Sequence, residues 1–182
     1  MTAPRPAPPS GRRPRVVLVG TMGAGKTTVG RRLASAWHLG FRDTDQDIEL
    51  AEGRSVSDIF VDSGEQHFRG LERAAVAGAL ATHDGVLALG GGAVMEDSNR
   101  ALLDGHTVVF LRVGLTDAAK RVGLGTSRPL LLGNVRGRIK QLIDERTPVY
   151  EAVATHVVDT DGLALDEVVE RVRSVVEDEP HE

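Results

Sequence analysis

The apolar run Val16-Val17-Leu18-Val19 has no polar alternation, stops at a cluster of glycines, and is followed by a helical pattern over 28–37. A β-branched run of that kind reads as a strand covered on both faces, as in the middle of a parallel sheet. Similar short runs at 15–19, 41–43, 85–89, 107–113 and 156–159 predict five strands, and helical patterns fill the intervals. Regular alternation of strand and helix predicts an α/β three-layer sandwich, a five-stranded parallel sheet with helices on both faces. Ser55-Val56-Ser57-Asp58 has the form of an N-cap and starts a helical region that reaches residue 80, with an interruption at Ser63-Gly64. Leu163, Leu165, Val168, Val169, Val172 and Val176 recur at helical spacing, which predicts a closing amphipathic helix.

The 182 residues suit one domain with a sizeable core, placed at 15–177. Residues 1–14 carry five prolines and lack the apolar segment of a signal peptide, so a disordered leader is expected, and 178–182 form an acidic tail. A net charge of −4 without a basic stripe argues against nucleic acid or an acidic membrane as partner. The absence of cysteine removes disulfides and thiolate metal sites. No stretch has the length of a spanning helix, and a cytoplasmic monomer is the expectation. His67, His83, His106 and His156 show no metal-ligand spacing.

The glycines after the first strand belong to Gly20-Thr21-Met22-Gly23-Ala24-Gly25-Lys26-Thr27, the pattern G-x-x-x-x-G-K-[ST] between strand and helix. Without Cβ atoms the backbone can turn tightly enough for successive N–H groups to cradle a phosphate. The next helix adds its positive N-terminal end. Lys26 then reaches the β- and γ-phosphates of a nucleoside triphosphate, and the Thr27 hydroxyl is placed to ligate Mg²⁺.

Asp43-Thr44-Asp45 ends the second predicted strand, where residues two apart share a face, so both carboxylates should look into one crevice at the carboxyl edge of the sheet. One can hold the ion through its water shell, while the other accepts a hydroxyl proton from a phosphoryl acceptor. Turn and N-cap aspartates are the alternative. The third strand runs into Gly90-Gly91-Gly92 rather than an acid, which leaves Asp43 as the best metal carboxylate. The glycines themselves either expose N–H groups to a ligand or form a plain turn. Glu65, Arg69 and Glu72 fall on one helix face, and a guanidinium held there could grip a substrate carboxylate, although exposed ion pairs are the commoner reason for such spacing. Arg128, within a stretch bounded by Gly123 and Gly133, could sit on a mobile lid at about 123–134 or on an ordinary surface loop.

Taken in order, these motifs resemble the shikimate kinases. The resemblance rests on the glycine loop, Asp43-Thr44-Asp45, Gly64-Glu65-Gln66 with Phe68-Arg69 and Glu72, Leu89-Gly90-Gly91-Gly92-Ala93-Val94, Arg128-Pro129-Leu130-Leu131, and Arg146-x-Pro148-x-Tyr150. It implies a P-loop nucleoside-kinase-like fold and MgATP-dependent phosphorylation of the 3-hydroxyl of shikimate, giving shikimate 3-phosphate and ADP in aromatic amino-acid biosynthesis. By the same resemblance, Gly23, Ala24, Gly25, Lys26, Thr27 and Thr28 contact ATP, and Asp43 reaches Mg²⁺ through water. Asp45 holds the acceptor hydroxyl, Arg69 and Arg146 clamp the shikimate carboxylate, and the backbone at Gly91 and Gly92 meets the substrate. Arg128 closes over the phosphates and Arg121 lies against adenine. One departure is that no cation follows the last strand in Asp159-Thr160-Asp161-Gly162-Leu163, so the nucleotide base should rest more on Arg121 and backbone. A gluconate-type small-molecule kinase and a non-catalytic nucleotide switch are the alternatives. The switch lacks an N-K-x-D guanine-reading motif.

Overall fold

The computed structural model describes residues 13–122 and 129–179, the latter with side chains from 134 onward. Five strands, β1 (Val16–Val19), β2 (Phe41–Asp43), β3 (Val86–Ala88), β4 (Val108–Arg112) and β5 (His156–Asp159), form one sheet in the order β2-β3-β1-β4-β5. Every pairing is parallel, with Val17 opposite Leu87 on one side and Val108 on the other. From β1 the chain builds two strands to one side and then two to the other. Such a reversal opens a crevice at the carboxyl ends of the central strands.

All four residues of β1 are buried, as its unbroken apolar run requires. Val16 and Leu18 pack with Leu33 of α1 (Lys26–Ala36) and with Val168 and Val172 of α8 (Leu165–Glu177). Val17 and Val19 face the opposite layer, with Val76 and Leu80 of α4 (Glu65–Thr82) and Tyr150 of α7 (Pro129–Val153). The alternation of side chains across a strand thus produces the three layers. A smaller cluster, Ile48, Ile59 and Phe68, joins α2 (Thr44–Glu52) and α3 (Val56–Ser63) to α4.

The expected helix from Ser55 is two helices. Ser55 caps α3 by accepting from the Asp58 N–H at 3.0 Å, and Gly64, at φ 84°, ends it before α4 begins. The first helix starts at Lys26 rather than 28, inside the phosphate motif. Of the stretch 123–134 expected as a lid, 123–128 and with it Arg128 lie outside the described residues, and Pro129 onward belongs to α7. Residues 1–12 of the expected leader and 180–182 of the tail also lie outside them. Glu179 accepts from the Thr107 hydroxyl and pairs with His156 Nε2, each at 2.7 Å, which fastens the chain end beneath β4 and β5.

Candidate active site

A cavity of about 760 Å³ opens at the carboxyl edge of the sheet, lined by the glycine loop, Asp43, Asp45, Arg69, Gly90, Gly91, Gly92, Arg121 and Arg146. Its volume matches clefts that enclose small organic ligands. At one end lies the loop between β1 and α1, with positive φ at Gly20, Gly23 and Gly25. A Cβ on Gly23 would stand 2.7 Å from the Ala118 carbonyl oxygen, so only glycine lets the loop pass there. Helix α1 has neither a side-chain cap nor an acid in its first turn, which leaves its leading N–H groups for an anion. The Lys26 ammonium folds back on the loop, donating to the Gly20 carbonyl at 2.7 Å and the Thr21 carbonyl at 3.1 Å. Burial lowers its pKa to about 8, against the opposing pull of Asp45 and Asp43.

The Thr27 hydroxyl donates to Asp43 Oδ2 at 3.0 Å. Asp43 Oδ1 accepts from the N–H groups of Asp45, at 2.9 Å, and Gln46, at 3.3 Å, which makes Asp43 the N-cap of α2. This corrects the expected geometry. The two carboxylates reach one cavity not as alternate residues of a strand but because β2 ends at Asp43 and Asp45 falls in the first helical turn. A hydroxyl beside a carboxylate suits Mg²⁺, which takes few protein oxygens and keeps water and phosphate as its remaining ligands. Among the described residues no three His, Asp or Glu side chains gather as a closed cage.

Asp45 holds the middle of the cavity. Burial, and then the charge of Asp43, raises its pKa, while Lys26 and Arg69 pull it down from either side. Its Oδ1 is buried without a hydrogen-bond partner among the described residues. The Thr44 hydroxyl accepts from the Gly90 N–H at 3.1 Å and so draws the end of β3 against this carboxylate.

Beyond Asp45, the Arg69 guanidinium donates to Glu72 at 2.7 Å and approaches Glu65 at 3.5 Å. Glu72 is only 1% exposed and Glu65 is 69% exposed, so of the helix face read from the spacing the Arg69–Glu72 pair is buried and the Glu65 end is solvated. Phe60 and Phe68 stack at 4.7 Å and wall this end, with Arg69 lying 5.4 Å from the Phe68 ring centre. A Cβ on Gly92 would come 2.7 Å from Arg69 and one on Gly91 would come 3.2 Å from Arg146, so the triple glycine is where backbone and two guanidinium groups approach closely. The exposed His67 takes no part.

Arg121, at the end of α6 (Leu115–Arg121), donates to the Gly23 and Ala24 carbonyls and to both oxygens of the buried Thr160, at 3.1 to 3.3 Å. A cation thus stands beside Thr160, just after β5, although it belongs to α6. The sequence reading assigned no role to Thr160, to Gly90 as the residue that makes room for Asp45, or to Tyr150, quoted only as part of a motif, whose hydroxyl donates to the Gly91 carbonyl at 2.5 Å. Arg146 and Tyr150 are one helical turn apart, which was the available signal.

A family model described as shikimate kinase matches residues 22–177. Shikimate kinase of Frankia casuarinae is 59% identical over 155 residues, 85% of this chain and 69% of that protein. The enzyme of Thermobifida fusca is 55% identical over 160 residues, 88% of this chain and 93% of that one. Among solved structures, shikimate kinase from Acinetobacter baumannii in complex with shikimate superposes with a TM-score of 0.82 at 32% identity, covering 91% of this chain and 94% of that one.

Proposed function

The chain belongs to the shikimate kinase family, and we propose that its cavity transfers the γ-phosphoryl group of ATP to the 3-hydroxyl of shikimate with the residues above in the following roles. The loop amides of Gly23, Ala24, Gly25, Lys26, Thr27 and Thr28 hold the phosphates, and Lys26 turns from its own loop carbonyls to the transferring group. Thr27 and, through water, Asp43 would hold Mg²⁺, which when bound neutralises phosphate charge. Arg121 braces the loop at the nucleotide end, and Arg128 is assigned to the phosphates by the family motif alone.

Shikimate lies beyond Asp45, its carboxylate between Arg69 and Arg146 and its ring against Gly91 and Gly92. A guanidinium recognises a carboxylate through paired charge-assisted hydrogen bonds. The reading rests on one observation, the buried and unpartnered Oδ1 of Asp45. An orphaned acceptor of that kind is costly unless a ligand donor meets it, and the acceptor hydroxyl is such a donor. As the oxygen–phosphorus bond forms and the bond to ADP breaks, the hydroxyl proton passes to Asp45. Its raised pKa brings it nearer the working pH, as a general base requires. No helix among the described residues is long and apolar enough to cross a membrane.

The test is ADP release with a panel of acceptors. Shikimate should be phosphorylated, while gluconate and a shikimate analogue lacking the carboxylate should support little turnover. Equal rates with the decarboxylated analogue would refute the two-arginine clamp.

A further inference from the structure

Tyr150 is fully buried, with its ring 5.0 Å from that of Phe110. Phenylalanine would fill that core space equally well, so the hydroxyl is what needs an explanation. A buried hydroxyl must be satisfied, and this one donates to the Gly91 carbonyl at 2.5 Å while its oxygen accepts from the Arg146 guanidinium. We propose that Tyr150 is a positioning residue for the acceptor, its hydroxyl locking the Gly91 peptide and the Arg146 guanidinium into one rigid wall. This deepens the assignment above and rests on it.

In a planar trans peptide the C=O and the following N–H point in opposite directions. A hydroxyl fixed on the Gly91 carbonyl therefore aims the Gly92 N–H away from Tyr150, and Gly92 lines the cavity. Neither the Gly91 nor the Gly92 N–H donates to a backbone carbonyl among the described residues. The same phenolic oxygen gives Arg146 an acceptor on its protein side, which restrains a long side chain that would otherwise lose more freedom on binding. Burial pushes the phenol up to about 12, so it stays a donor throughout the working range.

The experiment compares Tyr150→Phe with the wild type in shikimate and ATP titrations. The expected result is a shikimate KM about tenfold higher, the loss typical of one hydrogen bond, with the ATP KM within about twofold of wild type. Val76→Ala, in the same core layer, should lower Tm without splitting the two KM values. An unchanged shikimate KM, or parallel rises in both KM values, overturns the proposal. Tyr150 is the single tyrosine of the chain, so wild-type protein labelled with 3-fluorotyrosine reports on it alone, even if the phenylalanine variant does not fold. Its fluorine resonance should shift with shikimate and not with ADP, and a resonance unmoved by shikimate overturns the proposal. A wild type that leaves shikimate unphosphorylated overturns the assigned reaction as well. One that phosphorylates it beside an unaffected variant overturns only the role of Tyr150.

Discussion

The Asp45 carboxylate occupies the space that a side chain on Gly90 would need, its carboxyl carbon 2.9 Å from where the Cβ would stand. Gly90 does not adopt positive φ, so alanine suits the backbone and acts only by displacing Asp45. Misplacing a reacting group by about 1 Å can cost about 10²-fold in rate. Gly90→Ala should lower kcat by about tenfold or more with ATP binding intact. Steady-state rates beside nucleotide titration check this, and wild-type turnover would contradict it.

Asp45→Asn keeps the shape of the side chain and removes its ability to take the proton. Turnover should fall by about 10²-fold or more, the usual worth of an acid–base group, while ATP affinity is retained. Single-turnover rates with saturating ligands measure the step itself.

Arg69 is only 14% exposed and holds Glu72, which is 1% exposed. Burial raises the Glu72 pKa, with Arg69 pulling it back. A carboxyl raised in the native state binds its proton more tightly there than when unfolded, so it destabilises as pH rises through its native pKa and is relieved on acidification. Arg69→Ala leaves that charge without its partner and should cost about 3 kcal/mol at neutral pH. The deficit should shrink as pH falls through the carboxylate range. Urea denaturation at pH 7 and pH 5, each against wild type, tests the sign.

Lys26 gives a second pH dependence. Its native pKa of about 8 lies below its ordinary value of 10.5, so between those values the free enzyme holds a neutral amine. Triphosphate favours the charged form. ATP binding at about pH 9 should therefore take up a proton that binding at about pH 6.5 does not. Calorimetry in buffers of different ionisation enthalpy measures that proton, and an uptake equal at both pH values would contradict it.

What the sequence disclosed depended on whether the physics was local. The glycine loop was legible because its letters, the apolar strand before it and the helix after it are contiguous. Asp43 and Asp45 were correctly brought to one cavity but for the wrong reason, since strand alternation and a helix N-terminus can both place residues two apart on one side. The spacing of Glu65, Arg69 and Glu72 is the same for exposed and buried pairs, and only the packing of α4 against the sheet and α2 shows which applies. Tyr150, Thr160 and Gly90 act through partners distant in sequence: Gly91, Arg121 and Asp45. No periodicity reports such pairs.

The most direct test of the central arrangement is calorimetric titration of shikimate into wild type, Arg69→Ala and Asp45→Asn, with and without an unreactive ATP analogue. The account predicts roughly 10²-fold weaker binding to Arg69→Ala, from loss of a charge-assisted pair, and near-normal binding to the turnover-deficient Asp45→Asn. Shikimate bound equally well by Arg69→Ala would contradict it.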